Sequence, residues 1–255
     1  MEFSTVVKEN IESLLGNEKL KKLSTNWVIE TAKENYPYNF SWFGRPAIQY
    51  PQDMIAMQEI IWSQKPDLIL DIGVAHGGSV IYFASLMALL DMSEYEQDNK
   101  ELIQFKPNRM VVGVDIDIRK HNRDAIEMHP MKKWINLIEG SSVHQETVKK
   151  VHEITKNYNN ILICLDSNHT HEHVLKELNL YSPLIEIGGY CCVFDTIIED
   201  MPKQMFNGRP WGPGNNPKTA VWEFLEKNKQ FEIDKNIEAK IQATVAPDGY
   251  LKRVR

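Results

Sequence analysis

The chain has no apolar run approaching the ~18 residues that a membrane-spanning helix needs. Its opening, Met1-Glu2-Phe3-Ser4-Thr5, has neither the basic start nor the apolar stretch of a secretory signal. Cysteine is scarce: the three are Cys164, Cys191 and Cys192, all inside apolar runs. A disulfide framework is therefore not expected, and a reducing cytoplasm is. Basic excess is also missing. With 29 Lys and Arg against 35 Asp and Glu, the net charge is -6, which argues against nucleic acid as the main partner.

The 255 residues suffice for one large core and leave little room for two full domains. From Asp67 onward, short apolar runs alternate with helical patterns. The runs begin at Asp67, Met110, Trp134, Ile161 and Gly189, and they are continuous, as in parallel strands buried on both faces. Helices are expected over Gly78–Leu90, Arg119–Met128, His144–Lys156, His171–Ser182 and Pro217–Lys229, with two late strands at Phe231–Asp234 and Tyr250–Val254. This rhythm predicts a three-layer, Rossmann-like α/β sheet spanning 67–255. Residues 1–66 read as a helical N-terminal extension, with helices over Val6–Leu15 and Leu20–Glu34, packed on the sheet domain or on a second subunit of a homo-oligomer.

Two segments break the rhythm. Asp91–Asn108 is polar and acidic and reads as a surface excursion. Met201–Asn216 holds three prolines, three glycines and three asparagines and reads as a lid, expected to be mobile without acceptor.

Chemistry concentrates at the carboxyl ends of the runs, where open α/β sheets bind ligands. The first ends in Asp71-Ile72-Gly73-Val74-Ala75-His76-Gly77-Gly78-Ser79 and opens a helix. Glycine lets a ligand approach the backbone, and the helix start offers free N–H groups to an anion. The spacing is not that of the dinucleotide fingerprint, and it suits a cofactor carrying a carboxylate. The second run ends in Asp115, with Asp117 beyond, placed to accept ribose hydroxyls; the third leads to Ser141 and Ser142, placed to meet an adenine edge. Together these groups fit a nucleoside with an amino-acid tail, S-adenosylmethionine (SAM).

The fourth run ends in Asp166-Ser167-Asn168-His169 and the fifth in Asp195-Thr196-Ile197-Ile198-Glu199-Asp200. Neighbouring parallel strands set Asp166 and Asp195 side by side. A divalent cation between them relieves their repulsion, and oxygen ligands favour Mg²⁺ or Mn²⁺. His169 is the expected base, although zinc or two-histidine iron sites built from His169, His171 and His173 remain alternatives.

The chain resembles the cephalosporin hydroxylase and rhamnosyl O-methyltransferase family. The resemblance rests on Trp42-Phe43-Gly44-Arg45-Pro46, Gln58-Glu59-Ile60-Ile61-Trp62, the Gly73–Ser79 loop, Asp166-Ser167-Asn168-His169 and Gly189-Tyr190. It implies a class I methyltransferase sheet of seven strands with the last antiparallel, SAM, and Mg²⁺. One departure stands out: Phe194 occupies the place where the resemblance implies an acid, so the missing ligand is sought in Thr196, Glu199 or Asp200. The layout is also similar to catechol O-methyltransferases, which place a basic residue three positions after the first metal aspartate, as His169 lies here. The expected reaction is metal-assisted O-methylation of a sugar or glycoside hydroxyl, with Trp42, Phe43, Arg209 and Trp211 lining the acceptor pocket. The alternatives are a catechol or antibiotic-type acceptor, an iron-dependent hydroxylase, and a non-catalytic SAM-binding partner protein.

Overall fold

The structure is a computed structural model and describes residues 2–97 and 106–255. The chain begins with α1 (Phe3–Leu15) and α2 (Glu18–Lys33), then a two-stranded hairpin of β1 (Ser41–Trp42) and β2 (Arg45–Pro46), then α3 (Pro51–Gln64). The main domain follows as β3 (Leu68–Ile72), α4 (Gly78–Gln97), β4 (Met110–Asp115), α5 (Lys120–Glu127), β5 (Ile135–Glu139) and α6 (Gln145–Thr155). It continues with β6 (Ile161–Leu165), α7 (His171–Tyr181), β7 (Tyr190–Val193), α8 (Pro217–Lys227), β8 (Phe231–Ile233), α9 (Lys235–Ile241) and β9 (Tyr250–Arg253).

Seven strands form one sheet in the order β5-β4-β3-β6-β7-β9-β8. β9, the last in the chain, runs antiparallel to both neighbours, as the family resemblance implies. Alternate residues of each strand serve opposite faces. Ile69, Val111, Leu162, Cys164 and Cys192 join the core shared with α3 and α4. Leu68, Leu70, Ile72, Ile163 and Cys191 join the core under α6, α7 and α8. All three cysteines are buried and free, as small hydrophobes of these cores.

The N-terminal helices pack on the chain's own sheet domain. α1 lies along α9, and Ser24 Oγ meets Gln242 Oε1 at 3.3 Å. The Tyr50 hydroxyl bonds Thr31 and the Val28 carbonyl, and Trp27 and Tyr36 stack edge-on nearby. Two helices, α3 and α9, lie where no helix was expected. α3 buries Asp53, Ala56, Met57, Ile60 and Ile61 on one face, but the exposed Ile55 and Trp62 blur that period in the sequence, and α9 spans only seven residues.

The expected loop after Leu90 is corrected in part. Residues 91–97 continue α4, and 98–105 lie outside the described residues. The acid that made this stretch look like surface is inside: Asp91 is fully buried and takes bonds from Arg109 Nη1 at 2.7 Å and Trp134 Nε1 at 2.8 Å. A buried charge is tolerated when paired and bonded, and pairing across the chain is invisible in a local reading.

Sheet order reverses between β3 and its two neighbours, β4 and β6. That switch point is where a crevice opens at the carboxyl ends of the strands.

Candidate active site

A cavity of about 500 Å³ opens over the carboxyl ends of β3, β6 and β7. Its floor is the loop after β3. Gly73, Ala75 and Gly77 all take positive φ, at 116°, 44° and 86°, which turns the loop back toward α4. A Cβ at Gly73 would lie 2.0 Å from the Asp166 carbonyl oxygen, and one at Gly78 would lie 2.1 Å from the Pro46 carbonyl oxygen. The loop is therefore pressed between β6 on one side and the N-terminal hairpin on the other. Arg45 and Asn122 hold it from outside. Arg45 Nε donates to the His76 carbonyl at 2.9 Å, Arg45 Nη2 donates to Asn122 Oδ1 at 2.8 Å, and Asn122 Nδ2 donates to the Ala75 carbonyl at 3.0 Å. The N–H groups of Gly73, Val74, Ala75 and Gly77 bond within the protein, so the N–H groups open to an anion are those of the first turn of α4.

Of the expected cofactor residues, Asp71, Gly73, Ala75, His76, Gly78, Ser79 and Asp166 line the cavity. Gly77 does not; it packs against the Ile126 side chain. Asp115 lies under the loop, and its Oδ2 accepts from the Val74 and Ala75 N–H groups, each at 2.9 Å. Asp117 is exposed, 3.9 Å from Arg119. Ser141 and Ser142 are not brought to the cavity. The Ser142 hydroxyl is buried, bonded to Glu177 Oε1 and 3.0 Å from His173 Nε2.

Asp166, His169 and Asp195 converge, with one donor atom from each lying within 4.8 Å of the others. The left-handed φ of 57° at Asp195, uncommon outside glycine, aims its carboxylate at the cluster. His169 Nδ1 stands 3.4 Å from Asp195 Oδ2, and the Trp211 ring meets the imidazole edge-on at 5.0 Å. The other two histidines are committed elsewhere. His171 bonds Thr219 and Glu223, and His173 bonds Ser142 and Glu177, so neither a three-histidine zinc site nor a two-histidine iron site forms.

Three further expectations are corrected. The Thr196 hydroxyl is buried and donates to the Pro247 carbonyl at 2.6 Å. Glu199 Oε2 accepts from the Gly214 N–H at 2.7 Å and from Asn216 Nδ2 at 2.5 Å. Asp200 pairs with Lys218 at 2.6 Å. None of the three faces the cluster: the 3-10 turn over Thr196–Asp200 carries Glu199 and Asp200 toward residues 214–218 and Thr196 toward Pro247. Trp42 also does not line the cavity. Its Nε1 donates to Ser85 Oγ at 3.0 Å and its ring packs edge-on against Tyr82, fastening the hairpin to α4, while Phe43 is exposed. Arg209 and Trp211 do line it, with the guanidinium 5.3 Å from the indole centre.

Asp53 and Gln49 are among the lining residues that sequence reasoning missed. Asp53, in the first turn of α3, is fully buried and accepts from the Val245 N–H at 3.0 Å, the Tyr250 hydroxyl at 2.7 Å and the Thr244 hydroxyl. Gln49 approaches Asp166 from the stretch before α3. Neither carries a local signal, since both reach the site only through packing of the N-terminal segment on the sheet.

The cavity is strongly acidic. Asp53, Asp71, Asp166 and Asp195 line it, and Arg209 is the one Lys or Arg among the described lining residues. Burial pushes the Asp71 carboxyl up to about 7 despite the bond from Ser79, with Asp115 adding to the rise. Burial likewise pushes Asp53 up to about 6 against its three hydrogen bonds. Asp166 is held well above the ordinary carboxylate range, first by burial and then by Asp195 and Asp71. Such a set favours cationic ligands, which a sulfonium, an ammonium and a divalent metal all are.

Comparison with known proteins places the chain in a family. The family model for Rhamnosyl O-methyltransferase/CmcI matches residues 34–254. A rhamnosyl O-methyltransferase of Mycobacterium leprae is 27% identical over 238 residues, covering 90% of this chain and 92% of that protein. One from Mycobacterium tuberculosis is 28% identical over 208 residues, covering 79% and 73%. Among solved structures, CmcI with Mg and SAM superposes with a TM-score of 0.56 at 17% identity, covering 86% of this chain and 78% of that one. At that identity the likeness speaks for the fold. The match across residues 34–254 shows that the chain belongs to the Rhamnosyl O-methyltransferase/CmcI family and is a SAM-dependent O-methyltransferase.

Proposed function

We propose that the chain transfers the methyl group of SAM to a hydroxyl of a sugar or glycoside, assisted by a divalent cation held by Asp166 and Asp195, with His169 beside it as the base. The observation that carries the metal reading is the convergence of those three donor atoms beside the Gly73–Ser79 loop. Two adjacent carboxylates suit Mg²⁺ or Mn²⁺, and burial beside Asp195 makes the Asp166 charge costly without a cation. A cation bound there supplies Lewis acidity that lowers the pKa of an acceptor hydroxyl.

The chain's own groups do the rest. The first turn of α4, at the end of the loop after β3, receives the carboxylate of the cofactor's amino-acid tail. Asp71, whose charge is costly in the unliganded cavity, faces the positive end of that tail. His169, with Nδ1 turned to Asp195, takes the acceptor proton at Nε2. Trp211 and the segment it belongs to wall the reacting atoms from water and hold the acceptor in line. The sugar reading is supported by the activity named for the mycobacterial relatives and by a cavity mouth that offers Tyr38 and Trp211 for stacking and Arg209 for a negatively charged substituent.

The experiment is methyl transfer from labelled SAM to a panel of rhamnosides, other glycosides and catechols, with Mg²⁺ and with chelator. Label entering glycosides only with metal is the expected result. Label entering catechols alone overturns the sugar reading, and full transfer in chelator overturns the metal reading.

A further inference from the structure

Gln49 lies on the cavity wall between β2 and α3, with Nε2 3.4 Å from Asp166 Oδ2. Its other amide atom, Oε1, is buried and accepts no hydrogen bond from the protein. Turning the amide therefore costs no hydrogen bond at Oε1, only the one from Nε2 to Asp166.

The metal site has a matching deficit. Phe194 occupies the position where the family resemblance implies an acid, and it is only 4% exposed, packed into the core of the α3–α4 face. Thr196, Glu199 and Asp200 are each bonded elsewhere. The chain thus presents two carboxylates, with one imidazole beside them, to a class of ion that prefers about six oxygens. An amide carbonyl is a hard oxygen donor of the right kind, and it adds no charge to an already acidic cavity.

Geometry allows the exchange. Rotating the Gln49 amide half a turn swaps its nitrogen and oxygen, which occupy nearly equivalent positions. Oε1 then stands where Nε2 does, 3.4 Å from Asp166 Oδ2. Adjacent ligands of an octahedral cation with bonds of ~2.1 Å lie about 3 Å apart, so a small shift of a flexible side chain suffices.

We propose that Gln49 is a ligand of the metal site: its amide nitrogen holds Asp166 when no cation is bound, and its carbonyl oxygen turns to the cation that binds Asp166 and Asp195. This rests on the metal reading given above. It replaces the missing acid with a residue from outside the sheet, and it ties metal binding to the N-terminal segment.

The test is Mn²⁺ binding to the full chain, followed by electron paramagnetic resonance of the free ion, without SAM or acceptor. Gln49→Ala should weaken Mn²⁺ binding by about 10-fold or more. Gln49→Glu, of the same size and also folded around an oxygen donor, should bind Mn²⁺ at least as tightly as the wild type. A single cooperative melt in chelator checks that both variants are folded. Wild-type Mn²⁺ affinity in Gln49→Ala overturns the assignment of Gln49 alone. Loss of affinity in Gln49→Glu equal to that in the alanine variant overturns it as well. A wild type that binds no Mn²⁺ overturns the metal reading and this inference with it.

Discussion

Arg45 grips the carbonyl oxygen of His76, with its Nε 2.9 Å away, and so joins a hairpin of the N-terminal segment to the glycine loop after β3. The same guanidinium reaches Asn122 on α5, which in turn holds the Ala75 carbonyl. The glycine loop is thereby oriented by two other elements, the N-terminal hairpin and α5. Arg45→Ala should weaken SAM binding about tenfold, equivalent to ~1.4 kcal/mol, the worth of one good hydrogen bond. Arg45→Lys should recover only part, because one ammonium cannot serve both partners in the guanidinium's geometry. Calorimetric SAM titration measures both, and unchanged affinity in Arg45→Ala would show the clamp to be idle.

Asp166→Asn and Asp195→Asn should each abolish metal-dependent methyl transfer while leaving the fold intact, because the amide keeps the shape and removes a charge from a hard-cation site. His169→Ala should retain Mn²⁺ better than either aspartate variant and lose about 10²–10⁴ in kcat, with part of the loss recovered at high pH. Loss of Mn²⁺ from the histidine variant equal to that from the aspartate variants would make His169 a ligand and not the base.

Glu199 fastens the far end of the segment 201–216 through Gly214 and Asn216. Glu199→Ala strands two donors and should raise the acceptor KM more than it lowers SAM affinity. Arg209→Ala and Trp211→Ala should share that pattern, since both side chains face the cavity. Steady-state kinetics in each substrate separates the two effects, and a primary loss of SAM affinity would place the segment in the cofactor site.

Asp53 and Asp71 keep protons in the folded chain that the unfolded chain releases, since burial raises them to about 6 and about 7 from an ordinary 3.8. Their contribution is therefore most favourable near pH 4 and declines as pH rises toward 7. Asp71→Asn should flatten this decline relative to the wild type, and Mg²⁺ with SAM should offset it. Urea midpoints across that range, in chelator and with ligands, provide the measurement. Parallel wild-type and variant curves would show that Asp71 does not titrate there.

Asp91→Ala removes the fully buried partner of Arg109, whose side chain is itself only 6% exposed. A loss of about 3 kcal/mol is expected, the low end for breaking a buried pair, because Glu94 still contacts the guanidinium. Chemical denaturation measures it, and a loss under ~1 kcal/mol would place Arg109 with the surface pairs.

Some of this was legible in the residues themselves. Strands such as Leu68–Ile72 and Ile161–Leu165 are apolar on both faces, so their type and their parallel pairing follow from composition alone. Glycine at 73 and 78 and the aspartates at 71, 115, 166 and 195 fall at strand ends, and the sheet's topology gathers strand ends at one edge. Identity and approximate place of the site were therefore determined locally. Orientation was not. Thr196 and Glu199 lie within four residues of Asp195, yet a single 3-10 turn points them away from it. Trp42 reads as a pocket residue from its aromatic neighbourhood, but a partner at Ser85, 43 positions along the chain, claims it for packing. Gln49 and Asp53 reach the cavity because the N-terminal segment folds over the sheet, and Asp91 turns inward because Arg109 and Trp134 are there to meet it. The sequence by itself determined which strands end in chemistry, since periodicity and strand ends are short-range properties. Only the tertiary structure decided which side chains face one another, because that depends on contacts between residues tens of positions apart.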